Sequence, residues 1–136
     1  MYPYHLDISN SGFLYELADG RFQLMSGAQP EQIMIGHGYI LVENKLARTL
    51  ENLDIERVNF YPVVLFDRSK VTELSTHSKM VVNHHFDSDQ VKDIDITGKQ
   101  FLLMSNQYLF VSPELKELLQ EVLPQFTYSK GLSNFA

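Results

Sequence analysis

The sequence contains no cysteine. That absence removes a disulfide framework, thiolate nucleophiles and cysteine-ligated metals together, and leaves His, Asp and Glu as the side chains able to hold a metal ion. The chain is also poor in bases, with 11 Lys and Arg against 17 Asp and Glu and a formal net charge of −6. Those bases are scattered singly, whereas a phosphate-binding surface needs them gathered on one face, so no nucleic-acid partner is expected. No stretch approaches the roughly 18 uninterrupted apolar residues that span a bilayer, and no membrane partner is expected. The start, "MYPYHLDISNSG", has neither the basic nor the apolar region of a secretory signal, which leads to the expectation of a cytoplasmic protein.

What is present suits a globular fold. With 44% hydrophobic and 21% charged residues over 136 positions, a single domain over residues 1–136 is expected. A chain of that length buries roughly 68% of its unfolded surface and needs no covalent or metal staple.

Strand signals come early: "YHLDIS" (Tyr4 to Ser9), the apolar stretch "FLYELADG" and "RFQLM". "SGAQPEQ" (Ser26 to Gln32) reads as a loop from its Gly and Pro. "IMIGHGYILV" reads as a strand ending near Val42, with the Gly36 to Gly38 segment suited to a tight turn or bulge. A helix over 44–53 follows, its Leu46, Leu50 and Leu53 on one face. "ERVNFYPVVLF" (Glu56 to Phe66) is a long strand in which Pro62 requires an edge position or a bulge. Asp67 to Ile96 is polar, with "KMVVNHHF" as a strand and "DSDQVKDIDITG" as an acidic turn region. "KQFLLMS" and "QYLFV", separated by Asn106, form a hairpin. A second helix over 113–123 takes Ser112 as its cap and Pro113 in its first turn, and "QFTYSKGLSNF" supplies a last strand and a turn. The expected fold is α+β, a single mixed sheet packed by two main helices.

One internal echo stands out. "YILVENKLARTL" (Tyr39 to Leu50) and "YLFVSPELKELL" (Tyr108 to Leu119) share Tyr, Val, Leu and Leu at the same four places, 69 positions apart. Either the chain repeats a strand-helix-strand unit, or two such units converged on the same packing. The matching residues are apolar and carry no chemistry.

Candidate chemistry concentrates in "NHHFDSD", where His84, His85, Asp87 and Asp89 crowd together. Adjacent histidines on a strand face opposite ways, so a three-ligand metal site there needs His37 or His77 from a distance. A small metal-dependent hydrolase using His84 or His85 is the enzymatic alternative. Asp87, Asp89, Asp93 and Asp95, with Lys92 the single base among them, lack the Gly and terminal Glu of an EF-hand and read as a solvated acidic patch or a docking face for a basic protein. No nucleophile elbow surrounds a serine, and "GHG" falls short of a dinucleotide fingerprint. Neither a catalytic residue nor a cofactor is expected.

The order "YILVENKLARTLENL", "VNFYPVVL", "DITGKQFLLM", "YLFVSPELKELLQE" and "GLSNF" resembles the immunity-protein families of bacterial polymorphic-toxin systems. The motifs that carry the resemblance are Val58, Phe60, Pro62 and Val63 in a strand, Val111, Ser112, Leu115 and Leu119 at a helix start, and Gly131 and Phe135 at the end. The resemblance implies a protein without catalysis that binds and neutralises a cognate toxin. A regulatory protein-binding domain is the other non-enzymatic reading. The residues expected to contact the partner are Phe86, Asp87, Asp89, Asp93 and Asp95, with Glu43, Glu51 and Glu56 near the first helix.

Overall fold

The computed structural model describes residues 1–8, 14–25 and 29–135. Ser9 of the first expected strand, Phe13 at the head of the apolar stretch and Ser26 to Ala28 of the expected loop lie outside the described residues. The chain runs β1 (Tyr4–Asp7), β2 (Leu14–Glu16), β3 (Phe22–Leu24), β4 (Ile33–Gly36), β5 (Tyr39–Glu43), α1 (Asn44–Glu51), β6 (Val58–Pro62), β7 (Leu65–Asp67), β8 (Thr72–Leu74) and β9 (His77–Val82). It continues through β10 (His85–Phe86), a 3-10 turn (Ser88–Gln90), β11 (Phe101–Met104), β12 (Tyr108–Val111), α2 (Pro113–Val122) and β13 (Thr127–Lys130). The class is α+β and mostly sheet.

The single sheet expected from the sequence is replaced by three: β10-β11-β12-β1-β13, β2-β3-β7-β8 and β4-β5-β9-β6. Two predicted long strands break because their chains change partners. Pro62 ends β6, and β7 resumes at Leu65 in parallel register with β3, so the stretch Glu56 to Phe66 serves two sheets. "KMVVNHHF" divides in the same way: Asn83 N donates to Arg57 O at 2.8 Å, whereas His84 O accepts from Leu103 N at 2.9 Å. The expected strand "IMIGHGYILV" is in fact the β4–β5 hairpin, turned at His37 and Gly38 with Gly38 at φ 89°.

Two compact units result. The first comprises Met1–Ile8, Leu53–Val58 and Val82–Ala136, and contains the five-stranded sheet and α2. Its core gathers Phe86, Val91, Ile96, Leu102, Met104 and Phe110. The second comprises Ser9–Asn52 and Asn59–Val81, and contains α1 with most of both four-stranded sheets. Its core joins Leu14, Phe22, Leu24 and Leu65 of one sheet to Met34 and Leu41 of the other.

The sequence echo coincides with a repeat of topology. β5 starts at Tyr39 and β12 at Tyr108, α1 at Asn44 and α2 at Pro113, β6 at Val58 and β13 at Thr127, each pair 69 residues apart. In each unit an antiparallel hairpin leads into a helix and then a further strand, and a strand from elsewhere separates the two ends of the crossover. β1 is antiparallel to both β12 and β13, which makes those two parallel. β9 is antiparallel to β5, and the bonds Asn83 N to Arg57 O and Val63 N to His77 O bracket an antiparallel β6–β9 pair, so β5 and β6 are parallel too. Val42 and Val111 are both fully buried, and the leucine pairs Leu46/Leu115 and Leu50/Leu119 are buried on the inner faces of the helices. The copies differ in their hairpin turns: two residues join β4 to β5, three join β11 to β12.

Both helices end slightly earlier than expected. α1 stops at Glu51 because Asn52 caps it and Asp54 takes φ 56°, which puts Leu53 beyond the helix. α2 stops at Val122, with Leu123 as its cap and Pro124 behind it. β6 lies at a sheet edge, one of the two placements expected from Pro62. The bonded pairs Arg57/Asn83 and Val63/His77 alternate along it, which turns the nitrogen of Pro62 to the open side where no ladder bond is lost.

Candidate functional site

The expected contact residues divide between the units. Phe86, Asp87, Asp89, Asp93, Asp95 and Glu56 belong to the first unit, Glu43 and Glu51 to the second. All seven acids are exposed, whereas Phe86 is 3% exposed and serves the core. The two α1 acids sit at either end of their helix, Glu43 just before it and Glu51 as its last residue.

The acidic segment is held in shape by its own backbone. Asp87 N donates to Gln90 Oε1 at 2.8 Å and Gln90 N to Asp87 O at 2.9 Å, closing the 3-10 turn that carries Asp89. Asp93 N in turn donates to Gln90 O. The Asp95 carboxylate accepts from the Thr97 hydroxyl at 2.7 Å and from Thr97 N at 3.0 Å. Those bonds, with the nearby charges of Arg57 and His84, hold its pKa below the ordinary carboxylate value.

Below this segment lies a buried polar knot. Gln100, 3% exposed, donates through Nε2 to Thr97 O (2.7 Å) and Asp95 O (3.2 Å) and accepts through Oε1 from His84 Nδ1 (2.7 Å). Ser112 Oγ donates to Gly98 O at 2.7 Å and accepts from Gln100 N at 2.9 Å, besides capping α2 through Leu115 N. The expected cap is therefore present, and its hydroxyl also fixes the loop that follows the acidic segment.

Charge is distributed unevenly. The first unit holds ten Asp and Glu against five Lys and Arg, a net of −5; the second holds seven against six, a net of −1. Among the described residues the ion pairs within 4 Å are Arg21–Asp19, Arg21–Glu73 and Lys79–Glu16, all in the second unit. The acids of the first unit are thus exposed, with no basic partner within 4 Å among the described residues.

The histidines are dispersed. His77 is buried, with Nε2 donating to Glu31 O at 2.7 Å and Nδ1 accepting from the Thr76 hydroxyl at 2.8 Å. His84 is engaged with Gln100, while His37 and His85 are exposed. Among the described residues no three His, Asp or Glu side chains are gathered as a metal site, so the hydrolase alternative gains no support from this arrangement.

Two cavities are lined by described residues. One, of about 260 Å³ in the first unit, has Phe86 and Leu103 at its base and His85, Asp87, Gln90, Ser105 and Asn106 around it. The other, of about 460 Å³ in the second unit, lies between Tyr15, Leu24, Met25 and Arg68. Sequence reasoning marked Phe86 and Asp87 but missed Ser105 and Asn106, whose one signal was the hairpin turn at Asn106. The second cavity had no signal, because it joins two short segments of the least patterned third of the chain, at Tyr15 and at Gln23 to Met25, to the β7–β8 turn.

Among the described residues no helix is long and apolar enough to cross a membrane. No family model, no curated protein and no solved structure matches the chain.

Proposed function

We propose that this protein is an immunity protein that binds a basic toxin domain stoichiometrically and blocks it, without catalysis of its own. The observation that carries the reading is the uncompensated acidity of the first unit, with Asp87, Asp89 and Asp93 exposed on a hydrogen-bonded segment and no ion pair to satisfy them among the described residues. Acids left unpaired on a folded surface lower the stability of the free domain through mutual repulsion and favour a partner that neutralises them. The resemblance of the residue pattern to immunity proteins is consistent with the same reading. The cytoplasm, where such a protein meets its toxin, is the proposed compartment.

The test is to co-express the chain with the toxin domain encoded beside it and to measure both survival and complex formation. The expected outcome is protection of the host cell together with a stable complex of fixed stoichiometry. Survival without a complex, or a complex that leaves the toxin active, would sink the reading. A stoichiometric zinc or manganese content in the purified protein would instead favour the hydrolase alternative.

A further inference from the structure

The smaller cavity is built for one side chain. Its volume of about 260 Å³ falls below the roughly 300–1,000 Å³ of small-molecule sites. Its base is apolar: Phe86 and Leu103 are 3% and 9% exposed. Around that base stand the Asp87 carboxylate, the Gln90 and Asn106 carboxamides and the Ser105 hydroxyl, all able to accept, together with the His85 imidazole, and no Lys or Arg lines it. Three of these positions are held firmly. The Gln90 carboxamide is oriented by the Asp87 N–H at 2.8 Å. Ser105 and Asn106 both take left-handed backbone conformations, φ 56° and 57°, in a turn closed by Gln107 N to Met104 O. A serine there is costly, and the cost persists because β11 and β12 fix the hairpin on both sides.

We propose that this cavity is an anchor site for an arginine side chain of the partner protein; the proposal rests on the reading of the preceding subsection. A guanidinium carries five N–H donors in a planar fork, which suits several acceptors spread around a rim, and its weakly hydrated plane and methylene stem tolerate an apolar base. A lysine ammonium is a compact, strongly hydrated charge that satisfies fewer of these groups at once. The single carboxylate of Asp87 supplies the charge, and the net −5 of the unit draws a cation towards it.

The probe is N-acetyl-arginine amide, titrated into isotope-labelled full-length protein and followed through the backbone amide signals, with the lysine and citrulline amides in parallel. The arginine compound is expected to give saturable shifts at Asp87, Ser105 and Asn106, binding at least about tenfold more tightly than the lysine compound, a difference of about 1.4 kcal/mol. Citrulline, isosteric but neutral, is expected to bind no more tightly than lysine. Asp87→Asn is expected to abolish the shifts while leaving signals far from the cavity unmoved, which separates loss of the site from loss of the fold. Equal responses to arginine and lysine, or an arginine response that survives Asp87→Asn, would overturn the proposal. In the toxin complex, Asp87→Asn is expected to cost at least about tenfold in affinity and more than Asp89→Asn costs. An unchanged affinity removes the anchor role while the immunity reading stands. If no toxin complex forms, the immunity reading falls and the partner-anchor role falls with it, and arginine-selective shifts then establish only a guanidinium site.

Discussion

At the scale of single residues, two side chains connect sequence to stability most directly. Ser112 Oγ makes three hydrogen bonds while fully buried, and its removal leaves Gln100 N and Gly98 O without that partner as well as uncapping α2. Ser112→Ala is therefore expected to cost about 2–3 kcal/mol in urea unfolding, more than the roughly 1 kcal/mol of an exposed cap. A loss under about 1 kcal/mol would mean that the knot is not held by this hydroxyl. Val71 presents the opposite case. It is β-branched, 79% exposed and held at φ 51°, so it has strain to lose and little packing. Val71→Asn, which tolerates the left-handed region, is expected to raise stability by about 1 kcal/mol.

His5 adds a pH dependence at the same scale. Its ring is packed among Phe135 (4.8 Å), Phe110 (5.1 Å) and Tyr108 (6.1 Å), and its Nδ1 accepts from Asn134 at 2.7 Å. Burial lowers its pKa from 6.5, against the smaller opposing influence of the Asp7 charge. The folded state thus favours neutral imidazole. Its contribution is present above the unfolded value of 6.5 and is lost as pH falls below it, above the range in which Asp19, Asp67 and Asp95, whose pKa values are lowered from 3.8, protonate. Thermal unfolding of the parent should become easier between about pH 7 and about pH 5, and His5→Gln should flatten that slope. Tyr128, whose pKa burial pushes up to about 12, contributes nothing to this window.

At the scale of elements, the helices and their caps were legible because they depend on local signals. Ser112, Pro113 and the four-residue leucine spacing are each sufficient to place α2. The hairpin at Asn106 and the edge position of β6 were legible for the same reason, since turn chemistry and proline act on their own neighbourhood. Sheet membership was not legible. Nothing in "VVLF" distinguishes a continuation of β6 from a strand that pairs with β3, because that choice is made by a segment some forty residues earlier in the chain. The site was partly legible: the acids declared themselves by composition, whereas Ser105 and Asn106 meet Asp87 only through the pairing of β10 with β11.

The repeat makes a prediction at this scale. Leu50 and Leu119 occupy matching places on α1 and α2 and are 1% and 0% exposed. Leu50→Ala and Leu119→Ala are each expected to cost about 2–5 kcal/mol. Because they lie in different units, amide exchange should accelerate chiefly in the unit that carries the substitution. Uniform acceleration in both units for either variant would show that they unfold together.

At the scale of the whole molecule, charge is the feature that composition understated. A net of −6 over 136 residues is moderate, but five of those six charges fall on one unit, and the ion pairs among the described residues fall on the other. Steering by such a surface acts on the association rate and weakens as salt shortens the Debye length to about 8–10 Å. Reversal of Asp87, Asp89 and Asp93 to Lys should therefore slow association with the toxin by about tenfold or more at low salt and have a smaller effect as ionic strength rises. Reversal of Glu16, Asp19 and Glu73 in the second unit changes the same number of charges but acts on acids already paired with Arg21 and Lys79. Two mechanisms are separated by comparing the variants. If net charge alone governs encounter, both triple variants slow association equally; if the acidic segment of the first unit is the docking face, the Asp87, Asp89 and Asp93 variant slows it more, and its rate loses most of its dependence on salt.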